Sequence, residues 1–249
     1  MLAVDIGNTQ TTIGLFANDQ LTNTWRLSTK MARTADELWI LLRHLLEDYA
    51  ASPDAVSISS VVPDLTRAYS HMVSERLQLE PLVITSDTVR SLQISYDPPH
   101  AVGPDRLCGA VAGFKLMGGP LILVDLGTAT VFDFVTADGV YQGGLIAPGL
   151  LTAVESLHKS AALLPSVELK FPVEIIGTTT EMAIQSGILY GALEMIDGVV
   201  ERIQRSLLKP AHVIATGGFA HLLQPHSRVI ERVEPDLVLH GIRLITEEQ

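Results

Sequence analysis

Cysteine is almost missing from this chain: Cys108 stands alone among 249 residues. An internal disulfide and a cysteine-held metal cluster are both excluded, which leads to the expectation of a reducing, cytoplasmic setting with Cys108 as a small core residue. Positive charge is also scarce, with Lys+Arg 17 against Asp+Glu 28 and a formal net charge of −11. Binding to nucleic acid draws on Lys and Arg facing phosphates, so no nucleic-acid partner is expected. No apolar run approaches the roughly 18 residues of a membrane span; the longest, Leu116 to Val124, is broken by Gly118-Gly119-Pro120. Asp5 interrupts the apolar start of the chain, and no basic region precedes it, so neither a secretion signal nor a membrane partner is expected. Histidines such as His44, His71, His158 and His221 are scattered without metal-ligand spacing, which argues against a transition-metal site. No Ser-, Gly- or Pro-rich linker and no low-complexity segment separates the chain into parts.

What the chain does have is apolar content, 47% of residues, enough at this length to bury a large core in one or two domains. It also repeats itself at long range. Leu2-Ala3-Val4-Asp5-Ile6-Gly7-Asn8-Thr9 leads into the alternating stretch Gln10 to Phe16, and Leu123-Val124-Asp125-Leu126-Gly127-Thr128-Ala129-Thr130 leads into Val131 to Phe134. Each copy reads as a hydrophobic strand, an Asp-apolar-Gly turn carrying threonine, and a second strand. The copies lie 120 residues apart, from Asp5 to Asp125, close to half the chain, which predicts two similar lobes, 1–118 and 119–249, rather than a solenoid of short repeats.

Strands alternate with helices around these hairpins, the pattern of an α/β fold. Thr34-Ala35-Asp36-Glu37 is a capping-box sequence before Leu38, Ile40, Leu41, Leu42, Leu45 and Leu46, which predicts a helix of about four turns. Short buried strands are predicted at Val56 to Val62 and Leu82 to Thr85, with a helix near Leu65 to Leu79 between them. A helix from Asp105 to Met117 should end at Gly118-Gly119 and give way to a strand at Leu121. Farther on, a helix follows Pro148-Gly149, a long one runs from near Thr180 to Leu208, and the strand Val213 to Thr216 enters Gly217-Gly218.

An Asp at a strand end followed by Gly and hydroxyl residues suits a magnesium-phosphate group: the Gly admits close backbone approach, amides and hydroxyls donate to phosphate oxygens, and the Asp holds a hydrated metal. One such turn could be an ordinary hairpin. Two copies favour function, because both can serve one phosphate chain held in a cleft between the lobes.

Together with Gly103-Pro104-Asp105-Arg106, Gly143-Gly144-Leu145-Ile146-Ala147-Pro148-Gly149 and Thr216-Gly217-Gly218, these turns resemble the actin-like ATPase and sugar-kinase superfamily of two ribonuclease-H-like lobes with a nucleotide cleft between them. Within it the chain most closely resembles type III pantothenate kinases, from residue 2 to about residue 245. That resemblance implies ATP-dependent phosphorylation of pantothenate at its 4′-hydroxyl, the first step towards coenzyme A, by a homodimer using Mg2+ and a monovalent cation, K+ or NH4+. It implies Asp105 as the base that takes the hydroxyl proton, which suits an Asp directly before a helix, where the dipole favours the ionised form. Without the family, Asp105 would be a helix N-cap, and Thr180 likewise.

The same resemblance implies Asp5, Ile6, Gly7, Asn8, Thr9, Gln10, Thr11, Thr12 and Thr128 as ATP-binding residues. It implies Tyr96, Gly103, Pro104, Asp105, Arg106 and Thr180 as substrate-binding residues, with Asp125 on the monovalent cation and Asp5 on Mg2+ through water. The departures are Pro104 where Ala is usual, Gln10 where Asn is frequent, and His240 where Glu is common; none removes a group the reaction requires. Ile184, Ile188, Leu189, Leu193 and Ile196 on the long helix would permit a dimer interface. A nucleotide-binding regulatory accessory protein of the same fold without kinase activity is the alternative, disfavoured by the three retained acidic positions and the −11 charge.

Overall fold

Strand β1 (Leu2–Ile6) is the centre of the first sheet. It pairs antiparallel with β2 (Gln10–Ala17), which pairs antiparallel with β3 (Gln20–Ser28), while on its other side β4 (Val56–Ser60) and then β5 (Leu82–Val83) run parallel to it. Parallel neighbours need crossover connections. The first is α1 (Ala35–Glu47), the second α2 (Pro63–Met72) with a π-helical turn over Val73–Leu77. The expected capping box opens α1: the Thr34 amide donates to Glu37 Oε2 at 2.8 Å and the Glu37 amide to Thr34 Oγ1 at 3.3 Å. These positions come from a computed structural model, which describes residues 1–30, 32–47, 53–161 and 164–249.

Side chains alternate across a strand, so β1 serves two layers. Leu2, Val4 and Ile6 pack with Leu38, Leu42, Leu65 and Met72 from α1 and α2. The opposite face is covered by α7 (Leu237–Glu247), which packs on β1 and β4: Leu239 lies against Gly14, and Thr246 Oγ1 hydrogen-bonds Ser57 Oγ at 2.8 Å. After the short β6 (Gln93–Ile94), α3 (Pro104–Met117) joins that layer, its Cys108 backbone meeting α7 at Gly241. Residues 1–116 and 236–249 thus make one compact unit.

Residues 117–235 make the second. Gly118, at φ +74°, ends α3. Strand β7 (Leu121–Leu126) is then central, antiparallel to β8 (Ala129–Val135) and this to β9 (Val140–Pro148), with β10 (His212–Thr216) and β11 (Arg232–Val233) parallel on the other side. The order β9-β8-β7-β10-β11 repeats β3-β2-β1-β4-β5 in both sequence and sense. Each unit is therefore a ribonuclease-H-like α/β lobe, built on one copy of the Asp-Gly-Thr hairpin. Helices α4 (Leu150–Ser160), α5 (Thr180–Gln204) and the short α6 (Ala220–Leu223) complete this unit, where Leu189, Ile196 and Val200 of α5 bury against Ile122, Val124 and Val213. No helix among the described residues is long and apolar enough to cross a membrane.

Candidate active site

In the first unit, the turn after β1 exposes Asn8, Thr9 and Gln10. The Gly7 amide donates to Gln10 O at 3.0 Å, and a methyl at Gly7 would stand 3.0 Å from that oxygen, so the turn is close to the limit a side chain permits. Thr29 braces it from below. Its Oγ1 donates to Gly7 O at 2.8 Å, its amide donates to Thr9 O at 2.9 Å, and Thr11 Oγ1 lies 3.0 Å from its hydroxyl. Thr11 is buried and Ile6 sits in the core, so these two shape the turn while the exposed residues face outward. Thr12 lies opposite Asp5 across the β1–β2 pair, and Asp5 Oδ1 accepts from Ser59 Oγ at 2.9 Å.

Helix α3 opens with Pro104, whose fixed φ and missing N–H suit a first helical position. Asp105 therefore lies one residue inside the helix and is not its N-cap. Its Oδ1 accepts from the Arg106 amide at 2.9 Å and folds back over Gly103, where a methyl would stand 2.4 Å away. Burial raises the Asp105 pKa above the ordinary carboxylate value, against the lowering effects of the Arg106 amide and guanidinium. Desolvation thus outweighs these hydrogen-bond and charge effects. The Arg106 guanidinium stands 5.9 Å from the centroid of the Tyr96 ring, a cation–π arrangement that brings two predicted substrate residues together.

In the second unit, the turn after β7 is shorter by one residue, with the Gly127 amide donating to Ala129 O at 3.1 Å. Two sequence motifs and a threonine of α4 converge on it. Gly149 lies against the carbonyls of Gly127 and Thr128, where a methyl would come within 2.6 and 2.4 Å. Thr152 Oγ1 donates to Thr128 O at 2.9 Å. Gly217, at φ +90°, lies against the Asp125 carboxylate and the backbone of Leu126.

The sequence model of the type III pantothenate kinase family matches residues 1–202. A type III pantothenate kinase of Moorella thermoacetica is 40% identical over 250 residues, covering 99% of this chain and 98% of that protein. One from a Geobacillus species is 39% identical over 251 residues, covering 100% and 97%. The chain belongs to the type III pantothenate kinase family. Solved structures agree on the fold. A Campylobacter jejuni protein described as a conserved Baf family transcriptional activator aligns over 100% of this chain and 98% of its own, at TM-score 0.64 and 17% identity. The polyphosphate/ATP-glucomannokinase of an Arthrobacter strain aligns over 100% and 99%, at TM-score 0.52 and 14% identity.

Two details of this pantothenate kinase family member correct the sequence reading. Thr179, not Thr180, caps α5: its hydroxyl accepts from the Met182 amide at 3.2 Å. Thr180 is left exposed at the rim of an apolar pocket of about 350 Å³ lined by Leu157, Leu164, Ala183, Ile184 and Ile188. Ile184, Leu189, Leu193 and Ile196 are buried within their own unit and so are not available to a partner; exposed apolar residues of the unit include instead Leu145, Ile146, Leu151, Leu157, Val173, Ile175, Ile176 and Leu208. Among the described residues no group of three or more His, Cys, Asp or Glu could hold a metal. Single carboxylates such as Asp5 fit a divalent ion that arrives with phosphates and keeps its waters.

Thr29, Thr152 and Ser59 were not marked by the sequence motifs. Ser59 had a signal: a hydroxyl within a segment read as a buried strand, where burial demands a partner.

Proposed function

We propose that this chain transfers the γ-phosphoryl group of ATP to the 4′-hydroxyl of pantothenate, the first step of coenzyme A synthesis. The observation that carries this reading is the grouping of Asp105, Arg106 and Tyr96 around the first turn of α3 in a chain of this family. Asp105 takes the hydroxyl proton as the new O–P bond forms and the bond to the β-phosphate oxygen breaks, releasing ADP. Its raised pKa makes it a stronger base than a free carboxylate. Arg106, with Gly103, Pro104, Tyr96 and Thr180, holds the substrate, the guanidinium offering paired donors to its carboxylate.

The exposed turn after β1, residues 5–12, and Thr128 bind ATP through amides and hydroxyls. Asp5 holds the Mg2+ of the nucleotide through water, and Mg2+ supplies charge neutralisation at the phosphates. Asp125, whose carboxylate is walled by Gly217 and by the Leu126 backbone, holds a monovalent cation, K+ or NH4+, through oxygen. The protein acts in the cytoplasm as a homodimer, and the exposed apolar residues Leu151, Val173, Ile175 and Ile176 are what such an assembly would cover. The test is ADP release from Mg·ATP on addition of pantothenate, in K+ and in Na+ buffers, with the oligomeric state followed by sedimentation. Pantothenate-dependent release, greater with K+, is expected; release indifferent to pantothenate contradicts the assignment.

A further inference from the structure

Asp5 stands on the face of the first sheet that α3 and α7 cover, and its register partner on β4 is Ser59. Ser59 is fully buried, where a hydroxyl is costly unless bonded. Its Oγ donates to Asp5 Oδ1 at 2.9 Å, which ties one carboxylate oxygen and sets the rotation of the group. Ser57 provides the contrast. It is equally buried on the same strand, but its hydroxyl meets Thr246 of α7 and no carboxylate.

We propose that Ser59 is a positioning residue for phosphoryl transfer, holding the Asp5 carboxylate in the one orientation that meets the hydrated divalent ion of the nucleotide. The proposal rests on the kinase reading above, in which Asp5 serves that ion. Groups that orient a metal-binding carboxylate typically change metal affinity by about 10–100-fold when removed.

The experiment compares Ser59→Ala, Ser59→Thr, Ser59→Cys and Ser57→Ala in the full chain. Mn2+ binding in the presence of ADP is read from the electron paramagnetic resonance of the free ion, beside thermal melting and the kcat and KM for Mg·ATP. Both alanine variants should melt lower than wild type by about 2–4 °C. Only Ser59→Ala should weaken Mn2+ binding, by about tenfold, and Ser59→Thr, which keeps the hydroxyl, should bind within about threefold of wild type. If Ser59→Ala does not fold, Ser59→Cys, with its weaker donor, should show a partial loss. Wild-type Mn2+ affinity in Ser59→Ala or Ser59→Cys, or an equal loss in Ser57→Ala, overturns the positioning role while leaving the kinase reading intact. Wild-type protein that binds no Mn2+ with ADP overturns both.

Discussion

Gly217 and Asp125 touch at the ends of neighbouring parallel strands: a methyl on Gly217 would stand 2.6 Å from Asp125 Oδ1 and 2.7 Å from Leu126 O. Gly217 also holds φ +90°, a backbone state costly for any other residue. Gly217→Ala should therefore cost about 1–3 kcal/mol in stability, read from urea unfolding. Because the displaced group is the carboxylate proposed to hold the monovalent cation, the K+ concentration for half-maximal activity should rise several-fold. An unaltered K+ dependence would separate Asp125 from that ion.

Thr29 ties the turn after β1 through two hydrogen bonds, to Gly7 O and Thr9 O. Thr29→Val keeps the shape and the amide but removes the hydroxyl, leaving Gly7 O and the buried Thr11 hydroxyl each short of a partner. A loss of about 1–2 kcal/mol is expected. The KM for ATP should rise about five- to tenfold with the KM for pantothenate little changed; equal shifts in both would show that Thr29 supports the unit as a whole and not the turn.

The Asp105 pKa is raised in the folded state by burial. Ionised Asp105 is the active base, so the acid limb of kcat/KM should fall at a pH above the ordinary carboxylate value of 3.8, and a limb at or below that value would contradict the assignment. For stability the sign is reversed from the usual carboxylate. Folding binds the proton more tightly, so the penalty is absent below the unfolded pKa, grows as pH rises towards the folded pKa, and is fully present above it. Asp105→Asn should therefore abolish turnover yet melt no lower than wild type at neutral pH.

Asp197, fully buried on α5, accepts from Ser227 Oγ at 2.6 Å and from the Arg228 amide at 3.0 Å, and pairs with the Arg228 guanidinium at 3.4 Å. Asp197→Ala removes the buried acceptor of these donors and should cost about 3 kcal/mol. Guanidinium chloride unfolding measures this directly; a change under about 1 kcal/mol would mean that water replaces the carboxylate.

Local signals make much of this protein legible in its sequence. The hairpins stand out because Asp, Gly and Thr carry the turn chemistry in adjacent positions, and the α1 capping box is written in four residues. What stays hidden depends on chain segments far apart. Nothing in Leu237 to Glu247 says which sheet that helix covers; Gly241 fits α7 to the Cys108 carbonyl only once both helices are placed. Thr179 and Thr180 are chemically identical, and only the bond to the Met182 amide tells cap from first helical residue. The apolar positions of α5 suit a partner equally well on periodicity alone, because helical spacing cannot tell burial within a unit from burial between copies. Desolvation of Asp105 is likewise a property of its surroundings, not of its neighbours in sequence.

Phosphoryl transfer itself is followed by incubating the purified chain with ATP labelled in the γ-phosphate, Mg2+, K+ and pantothenate, and tracing label into product. Label should appear in phosphopantothenate with one ADP formed per phosphoryl group transferred, and none should transfer with Asp105→Asn. Binding of ATP without label transfer by the wild-type chain would contradict a pantothenate kinase built on Asp105.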